Sequence, residues 1–287
     1  MENLLERVLV IGGAGQLGRE LVARLAGPSL RAPSRTDLDL EHADAVLAAL
    51  RRQRPTLVIN TAAYHHVERC EAYPDRAFAV NALAVDRLAA ACALVGAAVA
   101  TFSTDYVFDG AAAAPYREGD AVGPLSAYGA SKVAGEHLVR RHGDRHFIVR
   151  TSGLYGSAPS SVKGYTFIDR ALRQAEAGEP VRVVDDITFS PSYAPHVADA
   201  FLELVRRGAF GTYHVTDAGA VTWHGFAAAA FELRGLDEGP IAVASSAFPS
   251  GVRRPAYSAL AHDGIARAGL PAMPGWRDGL AEYLRAR

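Results

Sequence analysis

Short β-forming runs alternate with longer amphipathic stretches along the first half of the chain, and this alternation restricts the fold more than any other feature. The β-forming runs are residues 7–13, 56–60, 98–103 and 146–152. Between them, residues 16–27 and 74–96 have the helical spacing of apolar positions. Strands that alternate with helices form βαβ units, in which helices cover both faces of a parallel sheet. The sequence therefore predicts an α/β fold with a Rossmann-like, doubly wound parallel sheet.

The regular alternation ends near residue 152. Beyond it, Gly, Pro and Ser interrupt the chain in residues 155–165, 189–195 and 247–258. We expect residues 1–152 to form the sheet domain and residues 153–287 to form mainly a smaller lobe. A strand and a helix are expected to return to the sheet at about residues 180–207. A chain of 287 residues that is 49% hydrophobic is long and apolar enough for such a core.

The charge balance excludes several classes of partner. A formal net charge of -1 leaves no broad basic surface for nucleic acid or anionic lipid, although a local basic pocket for one phosphorylated ligand is compatible with it. Glu2 and Glu6 stand where a signal peptide has basic residues, and no apolar run approaches the roughly 18 residues of a membrane span. Cys70 and Cys92 lack metal-ligand spacing, so we expect reduced packing residues. We predict a cytoplasmic protein with neither nucleic-acid nor membrane partners.

A glycine-rich turn follows the first predicted strand. It contains Gly12, Gly15 and Gly18 at intervals of three residues, and a helix is predicted to begin near Gln16. Glycines let the backbone turn sharply and approach a pyrophosphate, whose charge then lies at the helix N-terminus. An ordinary tight strand-to-helix turn is the alternative interpretation. The position of the turn, after the first strand of a βαβ series, favours a dinucleotide.

Residues 32–40, which precede the β-forming run at 56–60, bear on the choice between NADPH and NADH. Arg35 can hold a 2′-phosphate through two hydrogen bonds, where an NAD-specific site usually offers a carboxylate to the ribose hydroxyls. A solvated loop arginine is the alternative interpretation of Arg35. Asp39 and Leu40 follow and are candidates for the edge of the adenine. We expect NADPH, with NADH as the alternative cofactor.

Tyr128 and Lys132 form a second constellation. They lie four residues apart in a predicted helix, so the phenol and the ammonium share one face, where positive charge favours the phenolate. Lysine occurs at only two positions in this arginine-rich chain. A compact ammonium can approach both ribose hydroxyls and a phenol, which a planar guanidinium cannot do as well. We expect Tyr128 to donate a proton and Lys132 to lower its pKa; a surface pair on a helix is the alternative.

Polar residues end the run at 98–103. Ser103, Thr104 and Asp105 are predicted at the carboxyl edge of the sheet, where open α/β sheets bind their ligands. Thr104 can donate to a carbonyl oxygen beside Tyr128 as hydride reaches the carbon. Helix capping or turn formation is the alternative for either hydroxyl. A glycine turn, a hydroxyl and the Tyr-Lys pair in this order indicate hydride transfer to a carbonyl.

Several longer stretches support this interpretation. They are GGAGQLGREL, INTAAYHHVERCE, STDYVFDG, YGASKVAGE, RTSGLYG, VVDDITFSPSYAPHVADAF, GTYHVTDAGAVTWHGFA and RRPAYSAL. Together they resemble the extended short-chain dehydrogenases/reductases and, within these, the dTDP-4-dehydrorhamnose reductase family. The resemblance spans nearly the whole chain. It implies that residues 1–152 form an NADP-binding Rossmann domain and that residues 153–287 mainly form a substrate-binding lobe.

The resemblance also implies roles for individual residues. The catalytic trio of the family falls on Thr104, Tyr128 and Lys132. Its cofactor contacts fall on Gly12, Gly15, Gln16, Leu17, Gly18, Asp39, Leu40, Ala62, Ala63 and Tyr64, with Tyr128 and Lys132 also at the cofactor. Its sugar-nucleotide contacts include Val67, Asp105 and Tyr106. The ligand-binding residues are thus expected on the turns that follow the strands.

The chain departs from the family pattern in the sugar pocket. Gly153 stands where the family commonly has tryptophan, which removes an aromatic wall from this pocket. Either the pocket accepts a bulkier 4-keto sugar or another side chain, such as His65, His66 or Tyr155, fills the space, and we expect filling. Glu68 replaces the usual aspartate.

Metal binding is not expected. Some members of the family have a carboxylate-lined magnesium site at a dimer contact; Glu20 matches one ligand, but Pro195 occupies the place of another. His65 and His66 are neighbours whose side chains diverge, and no carboxylate or cysteine set completes a coordination sphere, so pocket or structural roles are favoured. His196 is expected to pack or cap a helix. The protein is predicted to be a monomer or a homodimer.

The resemblance implies one reaction and leaves alternatives. The reaction is NADPH-dependent reduction of the C4 ketone of a nucleotide-linked 6-deoxy-4-ketohexose, with dTDP-4-dehydro-L-rhamnose giving dTDP-L-rhamnose in carbohydrate biosynthesis. A related 4-ketoreductase or a 4-epimerase is an alternative, because an epimerase uses the same Tyr and Lys. A dehydratase is disfavoured, because related dehydratases have Glu where this chain has Tyr106. A non-catalytic NADP-binding regulatory subunit is a further alternative, against which the intact catalytic trio argues.

Overall fold

The computed structural model describes residues 2–156 and 165–287. Lys163 and the middle of the Ser-rich stretch 155–165 lie outside the described residues. Six parallel strands form the central sheet, in the spatial order β10 (Gly211–His214), β5 (His146–Thr151), β4 (Ala98–Thr104), β3 (Leu57–Asn60), β1 (Val8–Ile11) and β2 (Leu30–Arg31). Because β1 lies inside the sheet and the chain builds outward on both sides, the sheet is doubly wound. The predicted fold class is confirmed.

Helices cover both faces of this sheet. They are α1 (Gln16–Arg24), α2 (Ala43–Gln53), α5 (Ala84–Val95), α6 (Ala127–Arg140) and α8 (Ala194–Arg206). Successive strand residues point to opposite faces, so Val8 and Val10 pack with α1 and α8, whereas Leu9 and Ile11 pack with the other three helices. β1, whose two faces are both covered, is therefore apolar throughout, as the sequence pattern indicates.

One helical stretch runs from Pro74 to Val95 without interruption. It consists of α4 (Pro74–Phe78), a π-helical turn (Ala79–Leu83) and α5, and it follows the short helix α3 (Val67–Ala72). By length and composition alone it is the one stretch among residues 2–156 and 165–287 that could cross a membrane, which the sequence analysis did not find. Val85 and Leu88 are buried against the sheet. Core helices of α/β domains meet the same criteria of length and composition, and the packing of this one is that of a core helix.

The smaller lobe is built from short elements around an aromatic core. Its strands are β6 (Leu154–Tyr155), β7 (Arg182–Val184), β8 (Thr188–Phe189), β9 (Ser192–Tyr193), β11 (Val221–Thr222) and β12 (Ile241–Val243), and its helices are α7 (Phe167–Glu176), α9 (Trp223–Leu233) and α11 (Trp276–Arg285). The strands pair as β6 with β9, β7 with β12 and β8 with β11. Phe226 and Tyr283 are buried where these helices and strands meet.

The helix of the return predicted at about 180–207 is α8, which packs on the central sheet, but the strand joins the sheet later than that range. Within that range α8 packs beside α1, but β7 pairs with β12 in the lobe. The strand that joins the central sheet is β10, at Gly211–His214, and the helix α10 (Asp263–Arg267) packs against it. The sequence Gly-Thr-Tyr-His has too little apolar pattern to indicate a strand, which explains the misplaced return.

Candidate active site

The turn between β1 and α1 requires close backbone approach. A Cβ atom on Gly18 would lie 2.3 Å from the carbonyl oxygen of Gly12, so only glycine lets the first turn of α1 pack on the loop. Gly15 is the N-cap, and no side chain within the described parts of the chain caps this helix. The N–H groups of its first turn, which includes Gln16 and Leu17, are therefore oriented for a pyrophosphate. This turn fits a dinucleotide.

Arg35 lies on the exposed loop after β2, beside two carboxylates. Its Nε lies 3.3 Å from Asp39 Oδ2 and its Nη2 lies 3.3 Å from Glu41 Oε2, while 71% of the side chain is exposed. A hydrogen bond from the N–H of Glu41 and the neighbouring guanidinium hold the pKa of Asp39 below its usual value. Leu40 is buried in the core. Exposed ion pairs are weak, so Arg35 can exchange these partners for a phosphate, and its predicted role stays a prediction.

A buried asparagine joins the predicted cofactor loop to the helix of Tyr128. The loop after β3 carries Ala62, Ala63 and Tyr64. Asn81, in the π-helical turn, accepts from the N–H of Tyr64 at 2.8 Å and donates to the carbonyl of Tyr64 at 2.9 Å. Its amide also donates to Ser131 Oγ at 3.0 Å, and Ser131 donates to the carbonyl of Tyr128 at 2.7 Å. Asn81 was not predicted as a site residue, because its only signal in the sequence is a polar residue inside an apolar helical pattern.

The first turn of α6, which contains Tyr128, is fixed at its N-terminus. Ser126 Oγ accepts from the N–H of Gly129 at 3.1 Å, and the carboxylate of Glu71 accepts from the N–H of Ala127 at 2.7 Å. These bonds satisfy N–H groups that a helix start otherwise leaves unpaired. Lys132 follows one helical turn after Tyr128, as the sequence analysis expected.

Lys132 is buried, with 5% of its surface exposed. Burial lowers its pKa to about 8, and the carboxylate of Glu136 opposes this shift. Glu136 in turn binds Arg150 of β5 through two hydrogen bonds, of 2.9 Å from Nε and 2.7 Å from Nη2. The ammonium therefore titrates close to physiological pH, as a tunable charge in a catalytic site should.

Tyr128 lies beside Thr104. Burial raises the pKa of the Tyr128 phenol above its ordinary value, and the neighbouring hydroxyl of Thr104 opposes the shift. The sequence analysis expected Lys132 to lower this pKa; the net shift is upward, because desolvation of the phenolate outweighs the other influences. Tyr128 is thus held as the protonated phenol, which is the form that a proton donor needs.

Asp105 follows Thr104 and is enclosed by hydroxyl groups. Its Oδ1 accepts from Thr104 at 3.0 Å, and its Oδ2 accepts from Ser152 at 2.8 Å and from Ser258 at 2.6 Å. Burial raises the pKa of Asp105, and these hydrogen bonds oppose that shift. The family resemblance assigns Asp105 to the sugar nucleotide, but the carboxylate points into the protein and the residue is 4% exposed.

An arginine of the lobe reaches the predicted substrate side. The ring of Tyr106 packs edge-on against Tyr128, with 6.1 Å between centroids. The guanidinium of Arg254 lies near Tyr106 and pairs with Glu68. Val67, the first residue of α3, precedes Glu68. The sequence analysis missed Arg254; its signal was the Arg-Arg-Pro stretch, which resembles the family.

The space beside Gly153 is filled by an aromatic ring. Gly153 has a φ of +50°, and a Cβ atom there would lie 2.3 Å from Cε2 of Phe189. Phe189 is buried and stacks on Trp223, with ring centroids 4.0 Å apart. The filling side chain is thus Phe189, and the expectation of His65, His66 or Tyr155 was wrong. Tyr155 packs in the aromatic core of the lobe.

The adjacent histidines and the surface carboxylates have separate partners. His65 Nδ1 lies 3.4 Å from the carbonyl oxygen of Ala63, while His66 Nδ1 lies 3.2 Å from Glu68 Oε2. Among residues 2–156 and 165–287, no group of three or more His, Cys, Asp or Glu is arranged for a metal ion.

Arg24 occupies the surface that contains Glu20 and Pro195. It binds Glu20 Oε2 at 2.7 Å and Asp199 Oδ1 at 2.5 Å, and it donates to the carbonyl of Pro195 at 3.3 Å. A protein cation therefore already pairs with these carboxylates.

The fold and the site define a class of protein: a Rossmann-type oxidoreductase whose Thr-Tyr-Lys trio lies at the carboxyl edge of the sheet. A family model described as the RmlD substrate binding domain matches residues 6–287. The chain belongs to this family, that of the dTDP-4-dehydrorhamnose reductases, so the resemblance read from the sequence is confirmed.

Individual relatives agree with this assignment. The dTDP-4-keto-6-deoxy-D-glucose reductase of Streptomyces niveus is 39% identical over 281 residues, covering 96% of each chain. The dTDP-4-dehydrorhamnose reductase of Streptomyces griseus is 37% identical, over 98% of this chain and 93% of that protein. The crystal structure of dTDP-4-dehydrorhamnose reductase from Bacillus anthracis in complex with NADP matches with a TM-score of 0.93 at 33% identity, covering 98% of this chain and 99% of that one.

Proposed function

We propose that this protein uses NADPH to reduce the C4 ketone of a dTDP-linked 6-deoxy-4-ketohexose, and that dTDP-4-dehydro-L-rhamnose is the substrate that it converts to dTDP-L-rhamnose. The placement of Tyr128 beside the buried Thr104, and one helical turn before the buried Lys132, carries this proposal. The activities of the Streptomyces relatives support a dTDP sugar. The NADP bound to the Bacillus anthracis enzyme supports the cofactor.

The chain supplies acid catalysis and orientation. NADPH, when bound at the glycine turn, provides the hydride. Tyr128 donates its proton to the oxygen that becomes the C4 hydroxyl. The positive charge of Lys132 stabilises the phenolate that remains and holds the nicotinamide ribose, while Thr104 hydrogen-bonds the carbonyl oxygen. Thr104 and Lys132 are buried, which strengthens these interactions because little water screens them.

A panel of sugars tests the reaction. Purified protein is incubated with NADPH and either dTDP-4-dehydro-L-rhamnose or dTDP-4-keto-6-deoxy-D-glucose, and the products are identified by NMR. We expect one NADPH oxidised for each sugar reduced, with the higher kcat/KM for dTDP-4-dehydro-L-rhamnose. Preference for the other sugar would change the substrate proposed here but not the reaction class.

The choice of NADPH over NADH rests on Arg35. Arg35→Ala removes the guanidinium that can bind the 2′-phosphate, so it should weaken NADPH binding more than NADH binding. Arg52→Ala, which removes an exposed arginine of α2, is the matched control. Titration of each variant with both cofactors gives the dissociation constants. Equal weakening for both cofactors would show that Arg35 does not recognise the phosphate.

We also propose that the protein acts in the cytoplasm as a monomer or homodimer, with no nucleic-acid or membrane partner. The near-neutral net charge of -1 supports the absence of nucleic-acid and membrane partners, because it provides no extended basic surface. Sedimentation of the purified protein measures the oligomeric state.

A further inference from the structure

A cluster of two arginines and two carboxylates lies on the surface where the adenosine end of the cofactor is predicted. Arg35, Asp39 and Glu41 belong to the loop after β2, whereas Arg76 belongs to α4 and follows Glu41 by 35 residues in the chain. The carboxylate of Glu41 accepts hydrogen bonds from both arginines. Arg35, the residue proposed to bind the 2′-phosphate, therefore shares its partner with a distant part of the chain.

The two arginines bind Glu41 with different geometry. Arg76 bonds both carboxylate oxygens, Nη1 to Oε1 and Nη2 to Oε2, which is the bidentate arrangement of strong arginine–carboxylate pairs. Arg35 makes one bond, to Oε2, and its length of 3.3 Å exceeds that of most such bonds. The Arg35 side chain is 71% exposed, against 43% for Arg76 and 22% for Glu41. Arg35 is thus the partner that leaves Glu41 more easily.

Arg76 also determines the charge that a 2′-phosphate meets. The two guanidiniums balance the two carboxylates of the cluster. Without Arg76, both oxygens of Glu41 would be open to Arg35, and the carboxylates would outnumber the one guanidinium. A 2′-phosphate would then have to displace a stronger Arg35–Glu41 pair and to approach negative charge. NADH would meet neither cost, because its ribose carries no phosphate.

We propose that Arg76 is a specificity-determining residue for NADPH. By bonding both oxygens of Glu41, Arg76 prevents this carboxylate from forming a two-bond pair with Arg35, whose guanidinium stays available to the 2′-phosphate. Arg76 acts through Glu41 and Arg35 and does not contact the phosphate, so it is a positioning residue. The inference rests on the proposed use of NADPH but goes beyond it, because it assigns part of the cofactor preference to a residue of α4.

Titrations without sugar test the inference. Dissociation constants for NADPH and NADH are measured at low ionic strength for the wild type, Arg76→Ala, Glu41→Gln and the double variant. We expect Arg76→Ala to weaken NADPH binding about two- to fivefold, the range for exposed charge interactions, and to leave NADH binding unchanged. In the Glu41→Gln background the same substitution should produce no further loss, because the carboxylate that competes for Arg35 is absent.

Two controls accompany these titrations. Arg87→Ala removes an exposed arginine of α5, further along the same helical stretch, and should bind both cofactors as the wild type does. Adenosine 2′,5′-bisphosphate and AMP differ by the 2′-phosphate alone. Arg76→Ala should therefore weaken binding of the bisphosphate and leave binding of AMP unchanged.

Other results would overturn the inference. A loss for NADPH that persists in full in the Glu41→Gln background would show that Arg76 binds the phosphate itself. Equal weakening of NADPH and NADH would show a structural role, and unchanged NADPH binding in Arg76→Ala would show that Arg35 acts without Arg76. A wild type that binds NADPH but reduces no ketosugar would contradict the proposed reaction alone, whereas a wild type that binds no NADPH would overturn both proposals.

Discussion

Because we propose that Tyr128 delivers a proton to the ketone oxygen, its substitution isolates the chemical step. Tyr128→Phe should lower kcat by about 10²- to 10⁴-fold, the range for loss of general acid catalysis, and should leave NADPH binding intact. Tyr73→Phe, at a tyrosine that is 63% exposed, is the matched control and should behave as the wild type. Turnover near the wild-type rate in Tyr128→Phe would remove this phenol from the mechanism.

The lowered pKa of Lys132 leads us to expect that activity depends on pH. Its pKa of about 8 means that the ammonium loses its proton as the pH rises through that value, since burial favours the neutral amine. We expect kcat/KM to be highest below about pH 8 and to fall above it, because only the charged form stabilises the phenolate. The measurement is a pH–rate profile, with intrinsic fluorescence recorded in parallel to confirm that the protein stays folded. A flat profile up to about pH 9.5 would contradict the role of the charge.

At the residue scale, the sequence predicts those site residues that are recognised from their spacing within one helix or strand. Tyr128 and Lys132 could be paired from one helical turn, and Thr104 from the end of a strand. Asn81, Phe189 and Arg254 could not be assigned, because each gains its meaning from a partner distant in the chain, such as Glu68 for Arg254. The direction of the Tyr128 pKa shift also depends on burial, which local spacing does not show.

Phe189, in β8, lies where a side chain at position 153 would go. We therefore expect the family's tryptophan at that position to be harmful. Gly153→Trp should lower kcat/KM on dTDP-4-dehydro-L-rhamnose by about tenfold or more, because the new side chain meets the ring of Phe189 and the site backbone shifts. Gly178→Trp is the control: its φ is +71° and a Cβ atom there meets nothing within 4 Å, so it reports the backbone strain alone.

A partner substitution separates steric conflict from other effects of the tryptophan. Adding Phe189→Gly to Gly153→Trp should recover part of the activity, since it opens the space that the indole needs. If Gly153→Trp alone gains activity on this sugar, the pocket is open beside residue 153 and the native substrate is a larger deoxysugar.

At the element scale, strongly patterned segments were predictable and weakly patterned ones were not. The runs that became β1, β3, β4 and β5 are apolar on both faces, which is the pattern of buried parallel strands. β10 contains Gly211 and His214, and it pairs with β5 after α8, which packs on the same sheet. The π-helical turn at Ala79–Leu83 has no pattern of its own and reflects the packing of Asn81 against the loop after β3.

At the scale of the whole molecule, His196 connects the Rossmann part to the lobe. Its Nδ1 lies 2.8 Å from Asp217 Oδ1 and its Nε2 lies 3.2 Å from Glu282 Oε2 on α11. Burial lowers the pKa of His196, but the two carboxylates outweigh burial, so the net shift is upward. The histidine that the sequence analysis expected to pack or cap a helix therefore bridges two acidic groups.

This bridge predicts a pH-dependent contribution to stability. A histidine whose pKa is raised on folding stabilises the protein below its unfolded pKa of about 6.5, and that stabilisation is lost as the pH rises through the folded pKa. The difference in Tm between the wild type and His196→Gln should therefore be larger at about pH 6 than at about pH 8.5. Thermal unfolding at both pH values measures it. A Tm difference that is the same at both would contradict the ion-pair role.

The most direct test of ketone reduction follows the hydride itself. Wild-type protein is incubated with dTDP-4-dehydro-L-rhamnose and NADPH that carries deuterium at the transferable position of the nicotinamide. We predict that each product molecule carries one deuterium on C4 of the sugar and that one NADPH is oxidised for each deuterium found, as measured by NMR and mass spectrometry. An isomerised sugar without deuterium and without net NADPH oxidation would show an epimerase, and bound NADPH without any product would show a regulatory protein; either result would contradict the reductase assignment.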